Sequence, residues 1–151
     1  MATQLETKQP YALAAGGGEV MSWFSSRLIL KASSPEFGAV EAVVNPGDEP
    51  PLHIHSREDE WFYLLDGDVN FHVGGENYRT TAGGFVFFPR GIAHTYTVES
   101  PSARLLVLNT PGGFEQMFKR DPKTFEEAMQ ALNDYGMEVV GPHPRDAAAG
   151  A

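Results

Sequence analysis

The sequence predicts an all-β fold, a sandwich or barrel built as one domain. Three observations carry this. Short runs rich in Val, Ile, Phe, Tyr and Trp recur between residues 20 and 110, with Gly and Pro clusters between them. The chain has 151 residues, about one domain, a size that buries roughly 70% of the unfolded surface. Hydrophobic residues make up 42% and charged residues 21%, a globular composition.

The elements follow from the punctuation. Residues 1–18 end in Gly16-Gly17-Gly18 and read as a flexible or strand-exchanging arm. Val20–Lys31 is a strand region rich in Trp23, Phe24, Leu28, Ile29 and Leu30, and Val40–Val44 is a strand closed by Asn45-Pro46-Gly47. Strands are expected over 52–56, 60–65, 68–73, 77–81, 85–88, 94–99 and 103–109. Asp66-Gly67, Gly74-Gly75 and Ala82-Gly83-Gly84 separate them.

After residue 110 the period changes. Phe114, Met117 and Phe118 have helical spacing behind Gly112-Gly113. A second helix begins at a capping box, Thr124 with Glu127, and stops at Gly136. Phe125, Ala128, Met129, Leu132 and Tyr135 form its apolar stripe. Val139-Val140 can add an edge strand, and Pro142–Ala151 reads as a loose tail. The domain therefore runs over 19–141, with a barrel to about 110, a helical flap over 111–141 and a tail over 142–151.

Chemistry concentrates in four side chains. His53, His55 and Glu60 lie in one short run, and His94 follows a Pro89-Arg90-Gly91 turn, so three of the chain's 5 His fall here. Residues i and i+2 of a strand share a face, so His53 and His55 project together. Glu60 has the wrong parity for the same strand. A turn over Ser56-Arg57-Glu58-Asp59 must intervene and open a new strand that faces back. Three imidazoles and one carboxylate suit a divalent transition metal, one per chain, and Fe, Mn, Ni, Co and Zn all accept the set.

The same residues carry a resemblance. Gly47, His53-x-His55, Glu60 and Gly67 are similar to the first signature of the cupin superfamily, and Gly83, Pro89-x-Gly91 and His94 to the second. Both stand in the right order across residues 47–94. With Asp59-Glu60-Trp61-Phe62-Tyr63-Leu64-Leu65, Gly84-Phe85-Val86-Phe87-Phe88-Pro89 and Pro111-Gly112-Gly113-Phe114-Glu115, the chain resembles small quercetin-dioxygenase-like cupins. The resemblance implies a jelly-roll barrel. It departs at Val98, where the second signature usually ends in Asn, so a polar pocket group is missing there.

Strand parity from Glu60 and His94 places Phe62, Leu64, Tyr96 and Val98 on the inward faces, with Phe114 and Met117 able to cover the mouth. The expected pocket is apolar and aromatic, with Tyr96 as its polar handle and no Lys or Arg. A phosphorylated substrate is disfavoured and a neutral small molecule fits. Trp61, Tyr63 and Leu65 make the other face of that strand apolar too, so it must be covered. Cupins of this kind commonly pair through such surfaces, which implies a homodimer. His72 and His143 are expected to be solvated and silent.

The resemblance implies dioxygenase-like chemistry on a hydroxylated, largely apolar or aromatic compound. Glu60 would serve as ligand and base. A redox-silent isomerase, cyclase or lyase, with Tyr96 as acid or base, and a non-catalytic binding protein are the alternatives. A formal charge of −9 disfavours nucleic acid and anionic membranes as partners. The absence of Cys fits a reducing cytoplasm. No signal peptide or bilayer-spanning stretch is read from the sequence.

Overall fold

The computed structural model describes residues 9–149 and forms two facing antiparallel sheets. The six-stranded sheet runs β1 (Glu19–Trp23), β2 (Ser26–Ser33), β3 (Gly38–Val44), β10 (Ala103–Thr110), β5 (Asp59–Asp66), β8 (Phe85–Phe88). The five-stranded sheet runs β11 (Met137–Gly141), β4 (Leu52–His55), β9 (His94–Val98), β6 (Asp68–Val73), β7 (Glu76–Thr81). This is the jelly-roll architecture. The sheets face one another without closing into one hydrogen-bonded ring.

The alternation on the strands explains the core. On β3, Val40, Ala42 and Val44 face in; on β5, Phe62 and Leu64; on β6, Val69 and Phe71; on β9, Tyr96 and Val98. All belong to one buried cluster with Leu28, Leu30, Phe88 and Leu105. Each large apolar side chain removed from water contributes about 1.5–3 kcal/mol.

The expected strand region over Val20–Lys31 is a hairpin, β1 paired with β2. The break falls at Phe24, whose φ is 54°, a conformation rarely adopted by bulky residues. No Gly or Pro marks it, which is why the sequence reads as continuous. Within residues 9–18 of the expected arm, Tyr11 and Gly17 are tied to the chain's own β2. The Tyr11 hydroxyl donates to Lys31 O at 2.7 Å, and Lys31 Nζ to Gly17 O at 2.6 Å. The rest of that arm lies outside the described residues.

Behind β10, Phe114–Arg120 is a 3₁₀ segment and Phe125–Asp134 is helix α1. Both halves of the capping box form, and Gly136 follows with φ 74°. A Cβ at Gly136 would meet Ser56 Oγ at 2.8 Å and Arg57 Nε at 2.9 Å, so only glycine lets the helix end seat on the turn after β4. The stripe needs one correction. Ala131 is buried with Ala128 and Leu132, while Phe125 is 78% exposed. Glu115 anchors the 3₁₀ segment. Its buried carboxylate accepts from Ser33 Oγ at 2.6 Å and from its own turn at Gly113 N, and it packs onto Gly38 where any Cβ would clash. No helix among the described residues is long and apolar enough to cross a membrane.

The tail departs most from expectation. Pro144–Ala149 forms helix α2, and His143 is buried, not solvated. His143 Nε2 lies 2.9 Å from Tyr96 O, while its Nδ1 accepts from Arg145 N at 3.1 Å. The ring therefore donates through Nε2. His72 is likewise half-buried and bonded to Thr97 and Asn77. Arg145 forks onto both oxygens of Glu49 at 3.0 Å, and Glu49 also accepts from Val98 N and Gly47 N. Local sequence carries no trace of a partner nearly a hundred residues away, as Glu49 is from Arg145.

Burial alone would push the Glu49 carboxyl up, but Arg145 and the backbone N–H groups of Val98, Glu49 and Gly47 outweigh it, so it sits below its ordinary value. A carboxyl depressed on folding stabilises above its unfolded pKa, and that contribution is lost as pH falls through the folded value. Arg145→Ala is expected to cost about 2 kcal/mol at neutral pH. It should also flatten the acid limb of the stability curve. Urea melts of both proteins from pH 3 to pH 7 check this.

Candidate metal centre

β4 and β9 pair so that His53 stands directly opposite His94. His55 lies two residues on and shares the inward face. The chain then leaves the five-stranded sheet through Ser56–Glu58 and joins the six-stranded one at Asp59, so Glu60 returns to face the histidines from the opposite layer. The parity change is thus a crossing between sheets. Three contacts fix it. Ser56 N donates to Gly136 O, Gly91 N to His55 O, and the Arg90 backbone and guanidinium to Asp59.

His53, His55, Glu60 and His94 are all buried, with one ligand atom from each within 4.8 Å of all the others. Opposite ligands of a first-row ion lie about 4.2 Å apart, so small movements close the set. His53 Nδ1 faces Pro51 O at 2.7 Å and His94 Nδ1 faces Ile92 O at 3.0 Å. Each carbonyl takes the Nδ1 proton and leaves Nε2 as a lone pair turned inward. Yet His94 Nε2 lies 2.9 Å, and His55 Nε2 3.2 Å, from the same Glu60 oxygen. A lone pair cannot face a carboxylate oxygen at that distance unless a cation, proton or metal ion, lies between. The residues fit a divalent metal.

The electrostatics agree. Burial raises the Glu60 carboxyl, but His55 and His94 more than offset it and hold it well below the usual carboxylate range. Burial, with His94 and His55, drives the His53 imidazole down to about 3 against the opposing pull of Glu60 and Pro51, so it stays neutral. Burial lowers His55, but Glu60 and Glu58 outweigh it and raise the ring. Glu58 is pushed up mainly by burial.

The cluster closes the base of a cavity of about 360 Å³. His53, His55 and Glu60 line it, and His94 sits behind them against Phe88. Phe62, Tyr96, Phe114 and Met117 line its wall. Leu64 and Val98 are not. Both point inward, but they lie deeper in the sandwich and fill the core. Parity gives the face of a residue, not its depth along the strand. The wall also includes Leu28, Val40, Ala42 and Val44, which the sequence reading passed over. Their alternation and modest size on adjoining strands were the available signal.

Three polar wall groups were missed as well. Asp48 accepts from Ser25 at the mouth, and Glu49 is the carboxylate held by Arg145. Asn109 pairs in register with Glu60, and its amide nitrogen has no partner among the described residues. Among the described residues no Lys or Arg lines the cavity. Burial, with Glu60, Glu49 and Asp48, pushes the Tyr96 hydroxyl far up, so it is a phenol at neutral pH. An aromatic file runs from the mouth to the cluster: Phe24, Trp23, Phe118, Phe114 and His55, each edge-on to the next at 4.5–5.9 Å.

Residues 40–109 match the family model for the cupin domain. The chain carries a cupin domain. It is 28% identical over 115 residues to quercetin 2,3-dioxygenase of Bacillus subtilis, covering 74% of this chain and 34% of that protein. The chain thus spans about a third of that relative. Among solved structures, KdgF from a Halomonas species superposes with a TM-score of 0.65 at 18% identity, over 72% of this chain and 99% of that one. Pac13, a nucleoside dehydratase, gives 0.64 at 14% identity, over 91% and 97%. Both likenesses concern the fold.

Protein purified without added metal is expected to carry about one transition metal ion per chain by elemental analysis. His53→Ala and His94→Ala should each lose most of it. Because the imidazoles must be unprotonated to bind, acidification should release the ion, and chelation at neutral pH should lower the melting temperature.

Proposed function

We propose that this cupin is a metal-dependent dioxygenase-like oxidoreductase acting on a small, hydroxylated, largely apolar or aromatic compound. One observation carries the reading: a buried cluster of three imidazoles and a carboxylate forms the floor of an apolar cavity whose described lining holds no Lys or Arg. The similarity to quercetin 2,3-dioxygenase supports the reaction class.

A bound divalent transition metal would supply a Lewis-acidic centre at which a substrate oxygen and dioxygen meet, and His53, His55, Glu60 and His94 would hold it. Insertion of both oxygen atoms into the substrate needs no outside reductant. Glu60 accepts the hydroxyl proton as the substrate settles against the floor, through a carboxylate oxygen. Phe62, Phe114 and Met117 exclude water and hold the ring, and the Tyr96 phenol donates a hydrogen bond to a substrate oxygen. The acidic mouth at Asp48 repels carboxylates and phosphates.

The Pac13 likeness favours a second reading, a redox-silent lyase on the same ligands with Tyr96 as acid. Oxygen uptake with quercetin and simpler hydroxylated aromatics, on protein loaded in turn with Fe, Mn, Co and Ni, separates the two. Oxygen-dependent turnover is expected, falling 10²-fold or more in Glu60→Gln. Turnover undiminished without oxygen would move the assignment to the lyase, and binding without turnover under every metal to a binding protein.

We also propose a homodimer. Tyr63, Phe85 and Phe87 are 41%, 58% and 45% exposed on the outer face, with Trp61 stacked on Phe87. β8 is the edge strand of its sheet, and an antiparallel edge pair across a two-fold axis is self-complementary. Sedimentation should give twice the chain mass, and Phe85→Asp with Phe87→Asp should give monomers of unchanged metal content.

A further inference from the structure

We infer that Glu58 is the positioning residue that orients His55 toward the bound metal; this rests on the metal-site reading above. The three imidazoles are not supported alike. His53 and His94 each lean on the carbonyl two residues before them, Pro51 O at 2.7 Å and Ile92 O at 3.0 Å. His55 has no such carbonyl. It ends β4, where the strand is paired with β11, and its Nδ1 has no hydrogen-bond partner among the described residues.

The group facing that nitrogen is Glu58. Its Oε2 lies 3.9 Å from His55 Nδ1 and is also buried without a hydrogen-bond partner. The two side chains are 5% and 2% exposed. A buried carboxylate oxygen that meets no donor is costly, and so is a buried ring nitrogen that meets no acceptor. Two such orphans face to face are complementary. An approach of about 1 Å makes the N–H to carboxylate bond. The other side of the ring supplies the reason to move: once Nε2 engages a metal, Nδ1 must carry the proton, and Glu58 is the acceptor in place. Reach decides against the alternatives, since Glu60 already faces Nε2 and Phe114 packs edge-on to the ring at 4.5 Å.

Glu58 touches neither substrate nor the reacting atoms. Its effect is read through the metal. The probe is cobalt(II), titrated into the full chain in competition with a chelator, with the visible absorption of the bound ion recorded alongside. Glu58→Ala is expected to weaken cobalt affinity 10- to 100-fold and to shift the absorption bands as His55 loses its orientation. Glu58→Gln, whose amide oxygen still accepts from Nδ1, should fall between parent and Ala. Affinities are compared at a temperature where melting curves show all three proteins folded, so a general loss of stability does not enter. A Glu58→Ala affinity less than 10-fold below the parent overturns the inference while leaving the metal site intact. A parent that binds no cobalt overturns both together.

Discussion

Everything in the site depends on where the Glu60 carboxylate lies. A carboxylate out of water is tolerated only when positive charge and hydrogen bonds surround it. Here His55 and His94 turn nitrogens toward one of its oxygens, while backbone carbonyls occupy the far sides of two of the three rings. The histidines come from one sheet and the carboxylate from the other, so bringing them together requires the chain to cross between layers within three residues. That explains the turns around the crossing. The Arg90 fork onto Asp59 pins the loop before His94 to the start of β5, and Gly136 lets α1 dock on the turn after His55.

The candidate metal-ligand set could be read before any fold because its signal is local. His53-x-His55 fixes a shared face, and a wrong-parity Glu60 forces a turn that the sequence supplies. Strand positions were legible for the same reason, since alternation and glycine turns act over a few residues. What escaped is what depends on distance through space. The hairpin break at Phe24 has no marker residue. Leu64 and Val98 have the right parity but the wrong depth. The buried state of His143 depends on Tyr96 and Thr97 in β9, and that of Glu58 on His55 and the layer crossing. The sequence expectation left His143 in solvent, the ordinary fate of a polar residue near a terminus, and gave Glu58 no role beyond its turn.

Val98 shows how local and distant effects combine. At the place where the resembled signature ends in Asn, this chain has an apolar side chain that belongs to the core. The strand is still tied to the cavity rim at this residue, through its backbone N–H to Glu49, and Thr95 adds a bond to Pro50 O at 2.7 Å. Glu49 can sit in the wall as an anion because Arg145 reaches it from the C-terminal helix. Meanwhile Asn109, in register with Glu60, places an amide on the cavity wall one sheet away from the position of the missing Asn.

The division of labour between the sheets sets what can vary. The imidazoles come from β4 and β9, as does the Tyr96 phenol. The apolar wall, Leu28, Val40, Ala42, Val44, Phe62 and Val107, comes from β2, β3, β5 and β10 of the facing sheet. Exchanging wall residues therefore reshapes the space for a substrate without moving a histidine. Glu60 is the exception, because it is the one candidate ligand carried by the wall sheet. A ligand that presses the sheets apart must lengthen the distance from Glu60 to the rings before it disturbs any pair of rings. Substrate fit is thus felt first at the carboxylate, the group proposed above to take the proton.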